Sequence, residues 1–245
     1  GVPEHFNLPW HLAIDEGAFD RRGIDLTLAD VPEGTGRMAE LLNSGKADLA
    51  VILTEGVLRA ISEGLQAFIA QEYVASPLLW GVHVSAGSSY TSEEELAYKK
   101  AAISRYGSGS HLMAYVHAQN LDWPGDALRF EVVNTLEGAV EALSAGRADY
   151  FMWDKFTTQP LVDQNVFRRI GVCPTPWPCF VIAATADFAI EYPGVLSDIL
   201  ETINGYTSEF KSIPSIDRTL ANQYGLELKD VREWLAATRW SQRQI

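Results

Sequence analysis

Leu42-Asn-Ser-Gly-Lys-Ala-Asp48 and Leu143-Ser-Ala-Gly-Arg-Ala-Asp149 are two copies of one frame in a chain of 245 residues. Each follows a short amphipathic run (Met38 to Asn43, Thr135 to Ala145). Each has a glycine that stops a helix and a base before Ala-Asp, and leads into an apolar strand (Ala47 to Leu53, Asp149 to Trp153). One glycine-terminated helix feeding a strand is common. Two copies about a hundred residues apart, each in the same order of elements, predict two related α/β lobes.

The rest of the chain fills in around these frames. Trp10 to Arg22 has helical spacing and stops at Gly23, and Ile24 to Val31 alternates apolar and polar like a strand. Helices are expected near Glu55 to Glu63, Thr91 to Ala97 and Lys155 to Gln164. Strands are expected at Gln66 to Tyr73, Leu78 to Val84, Lys100 to Ile103, Arg129 to Val132, Val166 to Val172 and Phe180 to Ala184. Pro193 to Phe210, Ser215 to Tyr224 and Leu228 to Trp240 form a helical tail. The fold class expected is α/β, with mixed, mostly parallel sheets in two lobes joined by two crossover strands. Lobe one would be residues 1–79 plus 181–245 and lobe two residues 80–180. Gly1 to Pro9 reads as the loop after a first strand, so residues upstream of Gly1 are expected.

Composition narrows the function. Hydrophobic residues make up 47% and charged residues 21%, as in folded globular domains. The formal charge of −13 comes without any basic block, which argues against nucleic acid and against anionic membrane surfaces as partners. No apolar run approaches the roughly 18 residues of a membrane span. Cys173 and Cys179 flank a proline-rich link; a disulfide is open to them if the prolines fold the link back, and buried free thiols are the default reading, while a metal site is not expected because His5, His11 and His111 have no ligand spacing. No nucleophile–base motif or phosphate loop is present, so no catalytic residues and no cofactor are expected.

In α/β sheets ligands bind beyond the carboxyl ends of the strands, which directs attention to Ser104-Arg-Tyr-Gly-Ser-Gly-Ser-His111. Small hydroxyl and glycine residues between a strand and a helix leave backbone N–H groups at the helix start, aided by the helix dipole. The plainer reading is that Ser108 or Ser110 caps the helix.

The chain resembles the type 2 periplasmic-binding-protein-like group that binds nitrate, sulfonates, taurine and thiamine-pyrimidine precursors for transporters. The likeness is carried by Pro3-Glu-His-Phe-Asn-Leu-Pro-Trp10, by the segment ending Gly-Ala-Phe-Asp-Arg-Arg-Gly-Ile24, by the Ser104–Ser110 turn and by the two Ala-Asp frames. The resemblance implies a fold that closes on a small molecule and presents it to an ABC permease, as a monomer, in the periplasm or anchored outside the cytoplasm. By position it implies ligand contacts at His5, Asn7, Trp10, Thr54, Glu55 and Gly56 in lobe one. In lobe two it implies Ser104, Tyr106, Ser108, Gly109, Ser110, His111, Trp153 and Asp154. Tyr73, Ser76, Trp177 and Phe180 are weaker candidates near the crossings. Glu55 and Asp154, if both faced a ligand, would favour an aromatic, neutral or cationic one. An enzyme on the same fold, of menaquinone-pathway or thiamine-pyrimidine type, and a cytosolic ligand sensor are the rival classes.

Overall fold

The computed structural model describes residues 5–245. The chain divides into two compact units, Gly1–Ser76 with Trp177–Ile245, and Pro77–Pro176.

The first unit opens on a 3₁₀ turn, His5–Asn7, which runs into helix α1 (Leu8–Asp15) with Pro9 in its first turn, where a missing N–H costs nothing. The helix expected to reach Arg22 stops here, because Gly17 takes a left-handed φ of 66°. Residues 24–31, expected as a strand, belong to neither described sheet. Their side chains still alternate, with Ile24, Leu26 and Leu28 turned inward and Asp25, Thr27 and Ala29 outward. Helix α2 (Thr35–Asn43) then leads through the first Ala-Asp frame into β1 (Leu49–Leu53), followed by α3 (Thr54–Ser62) and β2 (Ala67–Val74).

The second unit is built on β3 (Leu79–Ser85), β4 (Lys100–Ile103), α4 (Gly109–Asn120), β5 (Arg129–Val132), α5 (Leu136–Ser144), β6 (Tyr150–Asp154), α6 (Gln159–Asp163) and β7 (Phe167–Pro174). Its five strands lie in the order β5-β4-β6-β3-β7. Strand β4 is parallel to β5 and β6, whereas β3 runs antiparallel to β6 and β7. The second Ala-Asp frame is fastened to β4: Asp149 Oδ2 accepts from Lys100 N (2.8 Å), and Oδ1 accepts from the Tyr90 hydroxyl (2.9 Å). Two expected helices are shorter than their patterns. Thr91 to Ala97 yields only a 3₁₀ turn, Glu93–Leu96. The Lys155 helix is delayed to Gln159, because Asp154 holds the intervening turn and Pro160 enters only in the first helical turn.

The chain re-enters the first unit at Trp177 and forms β8 (Phe180–Thr185), α7 (Ala186–Glu191), α8 (Pro193–Glu209), α9 (Ile216–Tyr224) and α10 (Leu228–Ala237). Strand β8 lies antiparallel between β1 and β2. The α/β class with mixed sheets is as expected, but the balance shifts toward antiparallel pairing. The cause is topological: β8 and β3, which take central places, each run against both neighbours.

Each unit has its own core. Met38, Leu42, Ile52, Val57 and Val181 are buried together in the first, and Ala102, Ala139, Leu143, Phe151 and Phe167 in the second. Burial of each large apolar side chain contributes about 1.5–3 kcal/mol. Both cysteines are free and buried.

Candidate functional site

Strand β4 ends where its backbone still pairs. Ile103 O accepts from Val133 N (2.8 Å) and Ser104 O from Asn134 N (3.0 Å). Gly107, at φ 77°, then reverses the chain, a conformation that favours glycine. Its N–H donates to His111 Nδ1 (3.0 Å), so the neutral imidazole carries its proton on Nε2. Ser108 caps α4, its Oγ accepting from His111 N (3.3 Å). Ser110 turns back instead, and its Oγ accepts from Ser104 N (2.9 Å) while lying 3.0 Å from Ser108 Oγ and 3.4 Å from Ser104 Oγ. The three hydroxyls are buried. The serines therefore build the turn, and the capping role expected as the plainer reading is what Ser108 performs.

The backbone is a different matter. The N–H groups of Gly109 and Ser110, the first two of a twelve-residue helix, make no hydrogen bond to any described residue. They lie at the positive end of the helix dipole. Beside them stands an aromatic cluster centred on His111, with ring centroids 5.3 Å from Tyr106, 5.2 Å from Tyr115 and 4.7 Å from Phe130. Tyr106 is 64% exposed and Tyr115 49%. Tyr115 and Phe130 are absent from the sequence-based set. The first was legible, since it lies four residues after His111 on one helix face. The second comes from β5 and needed the sheet order.

At the end of β6, Trp153 is half-buried between Phe151 (5.4 Å, stacked) and Trp80 (6.2 Å, edge-on). Asp154 Oδ1 accepts from Phe156 N (3.1 Å) and Thr157 N (2.7 Å). Burial raises the carboxyl pKa, and those donors with the Arg169 charge pull it back.

In the first unit, Thr54 is tied down: its hydroxyl donates to Pro178 O (2.6 Å) and its N–H to Cys179 O (3.2 Å). Glu55 Oε2 accepts from Trp177 Nε1 (2.9 Å), while burial raises its pKa against that bond and its own backbone N–H. Gly56 touches Thr35 so closely that an added Cβ would collide with the threonine side chain. His5 and Trp10 are core residues. His5 packs on Trp234 (4.4 Å), and burial pushes its pKa down to about 4. Trp10 stacks on Phe19 (6.1 Å), and Asn7 is buried at the start of α1. Among the weaker candidates, the Tyr73 hydroxyl donates to Phe6 O (2.9 Å), Ser76 Oγ accepts from Arg239 N (3.0 Å), and Phe180 packs on Phe6 (5.1 Å). Protein donors thus hold one oxygen of each carboxylate, Glu55 Oε2 and Asp154 Oδ1, while Glu55 Oε1 and Asp154 Oδ2 are buried without a hydrogen-bond partner among the described residues.

Together these units have the type 2 periplasmic-binding-protein fold, which is shared with the solute-binding proteins of ABC importers. Residues 80–173 match the model of the Ca3427-like periplasmic-binding-protein family. The CA3427 gene product of Candida albicans, described as defining a new family with the generic periplasmic binding protein fold, aligns over 99% of this chain and 81% of its own, with 26% identity and a TM-score of 0.89. The alkanesulfonate-binding protein SsuA from Xanthomonas axonopodis pv. citri, bound to MOPS, aligns over 95% and 82%, with 17% identity and a TM-score of 0.78. The periplasmic nitrate-binding protein NrtA from Synechocystis aligns over 92% and 66%, with 14% identity and a TM-score of 0.69. No curated protein matches the chain by sequence. Among the described residues, no helix is long and apolar enough to cross a membrane.

Proposed function

We propose that this protein binds a small organic molecule through a hydrogen-bond-accepting group, a sulfonate or carboxylate, and serves as the solute-binding component of an importer outside the cytoplasm. The observation that carries the reading is the pair of unpartnered N–H groups at Gly109 and Ser110, beside the exposed ring of Tyr106. Two such donors at a helix N-terminus suit an anionic acceptor, and the aromatic ring suits the apolar remainder of the same molecule. The likeness to sulfonate- and nitrate-binding proteins supports the same class of ligand. Binding then needs no catalytic group, in keeping with a role as a carrier.

A thermal-shift series with short alkanesulfonates, alkyl and aryl carboxylates, nitrate, pyrimidines and amines tests it. A ligand at a hundred times its Kd adds about 2.7 kcal/mol to stability. The sulfonates or carboxylates are expected to raise the Tm. A rise with amines alone, or with no compound, contradicts the proposal.

A further inference from the structure

On the face of the second sheet that α4 covers, buried donors and acceptors stand near one another without bonding. Tyr150, Met152 and Asp154 of β6 alternate onto that face, and Tyr150 meets His117 of α4 at 6.3 Å between ring centroids. Both residues are buried, yet neither the tyrosine hydroxyl nor His117 Nδ1 has a hydrogen-bond partner among the described residues. His117 Nε2 lies 2.7 Å from Glu93 Oε2. A carboxylate only accepts, so Nε2 carries the proton of the neutral ring and Nδ1 is left as an acceptor. The hydroxyl of Tyr150 is the matching donor. Trp123 packs edge-on against both rings, at 5.0 Å from His117 and 6.4 Å from Tyr150. The pattern recurs at the carboxyl end of β6. Trp80 stands opposite Asp154 in register, and its indole N–H and Asp154 Oδ2 are likewise buried and unpartnered among the described residues.

A buried donor beside a buried acceptor, with no bond between them, loses the hydration of both groups and regains nothing. The helix above them is loosely geared to the sheet. The buried face of α4 consists of Ser110, Met113, Ala114, His117 and Ala118. Apart from His117 these are small side chains and one adaptable methionine, so a shift of about 1–2 Å, the usual scale for packed helices, meets little interlocking. The amino end of α4 follows Gly107, whose φ of 77° makes the chain reverse there. The amides of Gly109 and Ser110 belong to the first turn of this helix and move with it.

We propose that α4 has two seatings, and that an anionic group held at Gly109 N and Ser110 N selects the one in which Tyr150 donates to His117 Nδ1. The inference rests on the ligand reading given above and adds a positioning device to the same site. Because the two amides travel with the helix, the anion meets them differently in the two seatings, and only such a difference can shift the population. Tyr150 and His117 touch no ligand. Their bond contributes in the bound protein alone, so it strengthens binding without stabilising the free fold.

Tyr150→Phe tests this, since it keeps the ring and removes only the hydroxyl. The probes are propane-1-sulfonate and benzoate, titrated calorimetrically into the whole chain. The free variant is expected to melt no lower than the wild type, because the group removed had no partner. It is expected to bind the tighter of the two probes about fivefold more weakly, the net worth of one neutral hydrogen bond. Nitrogen-15 NMR adds a readout that packing alone does not move. Saturating probe should shift the His117 Nδ1 resonance in the wild type, as that atom gains a donor, and leave it in place in Tyr150→Phe. Equal affinities in the two proteins, with the wild type binding, would overturn the proposal and spare the ligand reading. A lower Tm or loss of folding in the free variant would also overturn it, because the hydroxyl would then be bonded without any ligand. Failure of the wild type to bind either probe would remove the ligand reading and this inference together.

Discussion

The two units carry the same helix-to-strand frame, yet the strand it feeds has different company in each. In the second unit β6 lies between β4 and β3, and Asp149 fastens the frame to β4 by a bond of 2.8 Å. In the first unit β1 pairs with β8 on one side and with no described strand on the other, and the Asp48 carboxylate makes no hydrogen bond to any described residue. Because the surrounding helices and strands follow the same order, the difference lies in one strand position rather than in the design of the lobe. The comparison also separates the two candidate loops. The loop after β1 is fixed through Thr54 and Glu55 to Pro178 and Trp177. The loop after β4 leaves its first helical amides without partners among the described residues.

Acidification should act most strongly, and on both units. His5 in the first unit has its pKa pushed down to about 4 by burial. His83 in the second falls to about 3 through burial and then the charge of Arg169, and its ring lies 2.9 Å from Thr158 Oγ1. In both cases the unfolded chain binds the proton more readily. The stability from each neutral ring is full above about pH 6.5 and falls as pH drops, for His5 down to about pH 4 and for His83 down to about pH 3. The loss amounts to several kcal/mol in order of magnitude, larger for His83. NMR should find both rings neutral at pH 5, and titration of either near 6.5 would contradict the packing.

Asp149→Ala comes next. It removes the acceptor for Lys100 N and for the Tyr90 hydroxyl and should cost about 2 kcal/mol. Asp48→Ala should cost nearly nothing, because its carboxylate makes no hydrogen bond to any described residue. Equal costs for the two substitutions, measured by urea unfolding, would break the contrast between the units.

Smaller effects are expected within the turn. Ser110→Ala leaves the buried Ser104 N–H without its acceptor, a loss of about 1–2 kcal/mol. Ser108→Ala removes the cap on His111 N, about 1 kcal/mol. Urea unfolding of both variants checks the order.

Much of this architecture was legible because periodicity and punctuation are local. The repeated frame, the glycine stops and the strand runs placed most elements within a few residues. The failures have physical causes. Residues 24–31 alternate as a strand should but lie outside both described sheets, and sheet membership depends on neighbours that no local pattern supplies. The helix from Trp10 ended early because Gly17 adopts a left-handed conformation, whereas the clearer stop at Gly23 closes only a 3₁₀ turn. At the site, Ser104, Ser108 and Ser110 were found by composition, but their hydroxyls bond to one another and to the turn backbone. Trp10 and His5 were placed by position in the loop, and their size and aromaticity drew them into the core. Phe130 reaches His111 only through strand order.

Gly109→Pro gives the most direct test of the central claim, that the free amides of α4 hold an anionic acceptor. Proline is well suited to the first helical position, and Ser108 already has the extended backbone that precedes proline (φ −77°, ψ 170°). The variant removes one donor while keeping the turn. Isothermal titration with the sulfonates and carboxylates of the thermal-shift series should show saturable binding to the wild type, with an affinity about tenfold lower in the variant at an unchanged Tm. Equal affinities in the two proteins, or no binding by any member of the series, would contradict the account.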